Sequence, residues 1–447
     1  MNVAVEQSHA GLSQEQLDAY WMPFTGNRQF KQNPRLIVGA EGRYYTSADG
    51  RKIFDGLSGL WTCGLGHGRI EIAKAVAAQL AKLDYAPAFQ FGHPGAFELA
   101  ERITGFMPQG INRVFFTGSG SESVETALKI ARAYWHKQGR AEKTRFIGRI
   151  KGYHGVNYGG ISVGGIGANR ATFGSALVTD HLSHTMLAEG KFSRGMPEAG
   201  AELASELLEL IALHDASTIA AVVVEPLAGS AGVIPPPVGY LKKLRDICTQ
   251  HDILLIFDEV ICAFGRMGAN TGSEAFGVTP DLITLAKQLT NGVIPMGAVA
   301  VKQAVYDTFM DQGGPDYALE LAHGYTYSAH PVACAAGLAT LELLNEEGSV
   351  QRVASMAPSF ERKLHSLKGC PHVADIRNYG FAGALTIDGA PSEPLLRPFQ
   401  IAMAMWDKGY YVRYGGDTIQ LGLPFSTTEE EIDSLINALG DTLNALC

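Results

Sequence analysis

Two short apolar runs, each closed by a charge, constrain this 447-residue chain more than any other feature. Residues 253–257 read ILLIF and are followed by Asp258 and Glu259; residues 282–286 read LITLA and are followed by Lys287. Continuous apolar runs of this length, bounded by Gly, Pro and charge, predict strands buried in a parallel sheet. Open parallel sheets bind ligands beyond the C-terminal ends of their strands. The pattern therefore predicts a crevice that receives a carboxylate and an amine together. A desolvated lysine loses its preference for charge and becomes a nucleophile toward carbonyls. Taken alone, Lys287 and Asp258 also read as a surface lysine after a strand and an acidic helix cap.

Composition narrows the class. Hydrophobic residues make up 46% and charged residues 18%, which suits a globular chain with a large core. Fifty-two glycines fall in clusters beside apolar runs, as strand-to-helix turns of an α/β enzyme require. A formal net charge of −9 argues against nucleic acid or a membrane surface as partner. The six cysteines form no CxxC pair, so reduced thiols are expected and a zinc site is not. With no basic-then-apolar leader and no run of bilayer length, the expected location is the cytoplasm.

Further signals follow along the chain. Ser13 and Gln16 suggest a capping box, and residues 20–25 (YWMPFT) form an aromatic cluster read as packing surface or pocket wall. Asp49-Gly50 predicts a hairpin within residues 42–55. Residues 114–117 predict a strand, Gly118-Ser119-Gly120-Ser121-Glu122 a turn, and Val124, Ala127, Leu128, Ala131 and Trp135 one helix face. A Gly/Ser turn opening a helix offers backbone amides to a phosphate, although such turns also serve as plain caps. It lacks both the GK[ST] ending of a nucleotide loop and the GxGxxG of a dinucleotide site. Residues 145–149 and 219–224 predict further strands, the second ending on Glu225; residues 159–200 are Gly-rich and carry no reading. Near the end, residues 398–408 predict a helix, 410–414 and 418–423 strands, and Thr427 with Glu430 a capping box for the last helix.

The ordered set Asp258-Glu259-Val260, Phe264-Gly265-Arg266, Pro280-Asp281 and Lys287 resembles the class III (subgroup II) aminotransferases, which are fold-type I pyridoxal phosphate (PLP) enzymes. Ala263 departs from the glycine usual there. The segments WMPF, LSGLWTCG, AFQFGHP, EPLAGSAG and HGYTYSAHPVACAAG are similar to those of the ω-amino acid:pyruvate group of that family. The resemblance implies an α/β fold: a large PLP-binding domain at 62–333 with a mostly parallel sheet, and a smaller α/β domain from 1–61 and 334–447. It implies that Lys287 holds the cofactor and shuttles a proton, while Asp258 faces the pyridinium nitrogen. Gly120, Ser121, Tyr153 and Val260 complete the cofactor contacts, and Thr326 reaches the cofactor phosphate of a partner subunit. Trp61, which on its own reads as buried core in a Gly-rich loop, becomes a pocket wall with Phe24 and Phe89; Arg413, helped by Gln420, binds a substrate carboxylate. The implied reaction is transamination of β-alanine or a related amine with pyruvate, in a homodimer or homotetramer. A 4-aminobutyrate or ornithine aminotransferase, an aminomutase and a dialkylglycine decarboxylase share these motifs.

Overall fold

The apolar runs form the sheet that the sequence predicts. A computed structural model describes residues 12–390 and 392–446. Its central sheet has seven strands, in spatial order Ile111–Thr117, Gly297–Lys302, Leu282–Leu285, Leu254–Asp258, Ile219–Val224, Arg145–Arg149 and Thr179–Leu182. From Leu282–Leu285 outward to Thr179–Leu182 every pairing is parallel. Gly297–Lys302 runs antiparallel to both of its neighbours. Ile219–Val224, Leu254–Asp258 and Leu282–Leu285 are buried at every position, which is why they read as unbroken apolar runs. The edge strand Thr179–Leu182 buries only Leu182, so its sequence carries no such signal.

Two smaller sheets flank this one. In the first, Ile37–Glu41, Tyr44–Ser47 and Lys52–Asp55 pair antiparallel, with Gly50 supplying a positive φ of 81° at the hairpin turn. Tyr410–Tyr411 joins it in parallel beside Lys52–Asp55, so both ends of the chain share a sheet. The second sheet orders Val373–Tyr379, Ala382–Ile387, Thr418–Gly422 and Arg413–Gly415, all antiparallel. The single strand expected at 410–414 is thus two. The chain leaves one sheet and enters the other at Val412, which is buried between them.

The last helix, Glu429–Ala445, buries Ile432, Leu435, Ile436, Leu439 and Leu443 on one face. Its capping box is Thr428 with Glu431, one residue later than expected. Thr427 is diverted, because its hydroxyl donates to the Pro424 carbonyl at 2.6 Å and closes a turn. In a run of TTEEE both registers satisfy the capping rule, and the preceding turn selects between them. Ala263 fits without strain. It is buried at negative φ, and its amide donates to the Glu259 carbonyl at 3.0 Å. Among the described residues, no helix is long and apolar enough to cross a membrane.

Candidate active site

The C-terminal strand ends open into a cavity of about 340 Å³. Six of the residues singled out above line it: Gly120, Ser121, Tyr153, Asp258, Val260 and Lys287. Each arrives by a simple device. Ile111–Thr117 leads into the Gly118–Ser119 turn, and Ser119 caps helix Gly120–Lys137 by accepting the Glu122 amide at 3.2 Å. The first amides of that 18-residue helix have no carbonyl one turn back to bond. They face the cavity with the helix's positive end. Gly120 allows a close approach: a side chain there would meet both Val260 methyls at 3.1 Å. The Ser121 hydroxyl accepts the Val156 amide at 3.1 Å, which ties this turn to the loop bearing Tyr153.

Asp258 ends its strand only 5% exposed, and its carboxylate is held on both oxygens. Oδ2 lies 2.9 Å from His154 Nδ1, while Oδ1 accepts from the Thr284 hydroxyl at 3.0 Å and the Val260 amide at 3.2 Å. Three donors on one carboxylate fix its plane. Glu225 is the second buried carboxylate on the cavity. It accepts the Tyr153 amide at 2.9 Å and the Gly229 amide at 2.9 Å. Burial pushes its pKa up to about 7, with Asp258 adding to the rise and His154 opposing it. Lys287 begins a short turn at a positive φ of 50°, a strained setting of the kind that collects at functional sites. Burial lowers its pKa; Asp258 and Glu225 raise it, and Arg413 lowers it further. The net lowering makes the neutral, nucleophilic amine easier to reach than in a solvated lysine. The Tyr153 phenol is pushed up by burial.

A second, outer cavity of about 740 Å³ adjoins the first, and Thr62 lines both. Arg413 and Phe24 line the outer one. Among the described residues Arg413 has no ion pair. Gln420 stands opposite Arg413 across the strand pair but is fully buried and lines neither cavity. Its Nε2 donates to the Ser230 carbonyl at 3.0 Å, and Ser230 lines the inner cavity. Gln420 thus anchors a wall rather than facing the space within it.

Three expected wall or cofactor residues lie elsewhere. Trp61 is 2% exposed and packs with Leu57, Leu227, Ile261 and Met267 in the core, beneath Gly422. Positive φ at Ser58, Gly59 and Trp61 turns the indole inward, so Leu60, Thr62 and Cys63 meet the outer cavity instead. Phe89 is 53% exposed and lies against Gly324, away from both cavities. Thr326 is also exposed, with its carbonyl accepting from the Tyr85 hydroxyl at 2.9 Å. Phe89 and Thr326 therefore share one exposed aromatic face with Tyr85 and Tyr327, whose rings lie 6.2 Å apart. The roles of His154 and Thr284 were not legible beforehand. A Gly-Tyr-His-Gly turn and one threonine in an apolar run give no sign that both will meet Asp258.

A family model described as class-III aminotransferase matches residues 25–443. The chain is 58% identical to a beta-alanine–pyruvate aminotransferase of Pseudomonas aeruginosa, over 97% of each chain. It is 58% identical to an omega-amino acid–pyruvate aminotransferase of Pseudomonas putida, over 98% of this chain and 99% of that one. An amine transaminase from an uncultivated Pseudomonas species, solved in a PLP-bound form, superposes with a TM-score of 0.88. That match has 36% identity and covers 96% of this chain and 98% of the other. PLP fits the inner cavity on this chain's own geometry. The amine of Lys287, the fixed carboxylate of Asp258, the Tyr153 ring and the open helix N-terminus suit its aldehyde, ring nitrogen, ring face and phosphate.

Proposed function

This chain belongs to the class-III aminotransferases, and on that premise we propose that it transfers the amino group of an ω-amino acid, β-alanine above all, to pyruvate. The products are 3-oxopropanoate and L-alanine. One observation carries the reading: the cavity that joins Lys287 to Asp258 opens, past Thr62, onto an arginine with no ion pair among the described residues.

When bound, PLP supplies a conjugated ring that takes up the electron pair left as the donor carbon loses its proton. The protein does the rest. The Lys287 amine holds the cofactor and then, released by the incoming donor, removes that proton at Nζ and redelivers it. Asp258, held in place by His154, Thr284 and the Val260 amide, would keep a proton at the ring nitrogen. Gly120 and Ser121 receive the phosphate, and Tyr153 covers a ring face. The Arg413 guanidinium takes the carboxylate of pyruvate, and of β-alanine in the other half-reaction, by paired charge-assisted bonds.

Phe89 and Thr326 act in the neighbouring subunit's site in this reading, across a homodimer or homotetramer. Their placement together on an exposed aromatic face supports it. Residues 62–333 form the cofactor-binding domain, and 1–61 with 334–447 the smaller one; the parallel pairing of Tyr410–Tyr411 with Lys52–Asp55 supports that division. Five free cysteines among the described residues agree with a reducing cytoplasm. The test is L-alanine formation from β-alanine and pyruvate by the purified protein, with Arg413→Ala beside it. Turnover is expected in the parent, with kcat/KM for pyruvate at least about a hundredfold lower in the variant, the scale of a lost charge-paired contact. Unchanged pyruvate turnover in Arg413→Ala would remove that residue's role; absence of any alanine from the parent would remove the substrate assignment.

A further inference from the structure

The outer cavity contains a second guanidinium that the reaction above does not use. Arg35 lines it together with Arg413. Among the described residues neither has an ion pair. Arg35 is half-buried and lies over the Phe30 ring, 5.2 Å from its centroid. Its Nη1 and Nη2 donate to the Gln29 side-chain oxygen at 3.3 and 3.2 Å, and Nη1 to the Asn33 carbonyl at 3.5 Å. These acceptors are neutral, so they orient the fork without cancelling its charge. Much of the remaining lining is apolar or aromatic, Phe24, Phe30, Ala402, Met403 and Trp406 among it, with Thr25 and Thr62 the polar exceptions besides tyrosine hydroxyls. Two cations on one largely apolar space, neither in an ion pair among the described residues, favour the entry of anions, with Asp407 offsetting part of the Arg35 charge.

The two cations are not equivalent. Arg413 stands opposite Gln420, whose Nε2 donates to the carbonyl of Ser230 on the inner cavity, so it marks the inner end. Arg35 precedes strand Ile37–Glu41, which lies at the opposite edge of its four-stranded sheet from Tyr410–Tyr411, the strand that leads to Arg413. An extended donor has its amine at Lys287, a methylene chain along apolar walls and a carboxylate at its far end. A planar guanidinium fork at the far end matches that last group.

We propose that Arg35 forms a distal carboxylate subsite, which accepts ω-amino acids too long for their carboxylate to be held at Arg413. This rests on the proposed function for the position of the amine, and it extends that site to a chain-length class of donor. The subsite makes the enzyme carboxylate-selective for long donors as well as short ones. It also lets a dicarboxylate bridge the two guanidiniums.

Two measurements on the PLP-loaded protein test it. The first compares binding of octanedioate and octanoate to the parent by calorimetry. The second compares KM for β-alanine, 8-aminooctanoate and octylamine in the parent and in Arg35→Met. The subsite predicts that octanedioate binds about tenfold more tightly than octanoate, equivalent to ~1.4 kcal/mol. It predicts that Arg35→Met abolishes that preference and raises KM for 8-aminooctanoate about tenfold. KM for β-alanine and octylamine, and kcat for all three, should stay within about twofold. An Arg35 that merely pins the N-terminal segment would shift all three donors alike, and that result overturns the subsite. Equal binding of the diacid and the monoacid also overturns it, even where the variant fails to fold. Failure of β-alanine turnover in the parent strikes the proposed function instead, because the calorimetric comparison is independent of catalysis.

Discussion

Asp258 shows how the residue scale works here. Its carboxylate is useful because three donors hold it, and each can be removed separately. Thr284→Val deletes the hydroxyl on Oδ1 and keeps the volume, inside a strand that is otherwise apolar. The expected cost is that of one charged hydrogen bond, about 1.5–3 kcal/mol, read as a kcat lowered about tenfold or more in the purified enzyme. A variant with parental kcat would show that Thr284 does not tune Asp258. Glu225 gives a prediction in pH. Burial raises its pKa from 4.5 to about 7, so the folded protein prefers it protonated. Its stabilising contribution is complete below about pH 4.5 and is lost as pH rises through about 7. Chemical denaturation should therefore show the parent losing on the order of 3 kcal/mol relative to Glu225→Gln across that window. Parallel pH curves for the two proteins would rule out the shift. At this scale the sequence was partly legible. Lys287 and Asp258 end apolar runs, and that juxtaposition is readable. Trp61 is buried, as its loop alone suggests and not as the resemblance implies; the positive φ values at Ser58, Gly59 and Trp61 that accompany this have no signal in LSGLWT.

At the scale of elements, the turn before helix Gly120–Lys137 joins the central sheet to the inner cavity, where the proposed function seats the cofactor phosphate. Gly120 is there because Val260 is near. A methyl added at Gly120 meets both Val260 branches at 3.1 Å. Gly120→Ala should weaken PLP binding at least about tenfold by equilibrium dialysis, and adding Val260→Ala should restore part of it, a coupling that a double-mutant cycle measures. Additive losses would contradict that contact. At the other end of the chain, Thr428→Ala should cost about 1 kcal/mol of stability, as a lost N-cap does. The elements themselves were legible where burial was two-sided. Ile219–Val224 and Leu254–Asp258 were visible as runs of apolar residues. The edge strand Thr179–Leu182 was not, having three half-buried positions of four. Nor was the division of 410–414 between two sheets, since local propensity cannot say which partner a strand will find.

At the scale of the whole molecule, the largest core joins residues from both ends of the chain to the central sheet. Phe54, Ile283, Leu385 and Leu443 belong to one continuous cluster. The inner and outer cavities lie one beyond the other, with the amine of Lys287 in the first and the guanidinium of Arg413 in the second. In the proposed function, this arrangement would let one site alternate between an amino donor and a keto acid. The face carrying Phe89 and Thr326 predicts that sedimentation finds at least twice the chain mass and that a monomer has no activity. A fully active monomer would contradict that placement. The measurement that tests the central claim most directly is the visible absorbance spectrum of the PLP-loaded protein, recorded before and after β-alanine and again after pyruvate, with Lys287→Ala alongside. The long-wavelength band of the lysine-bound cofactor should disappear with β-alanine and return with pyruvate, and Lys287→Ala should never show it. A band that β-alanine leaves untouched, or one that persists in Lys287→Ala, would contradict the claim that Lys287 carries this transamination.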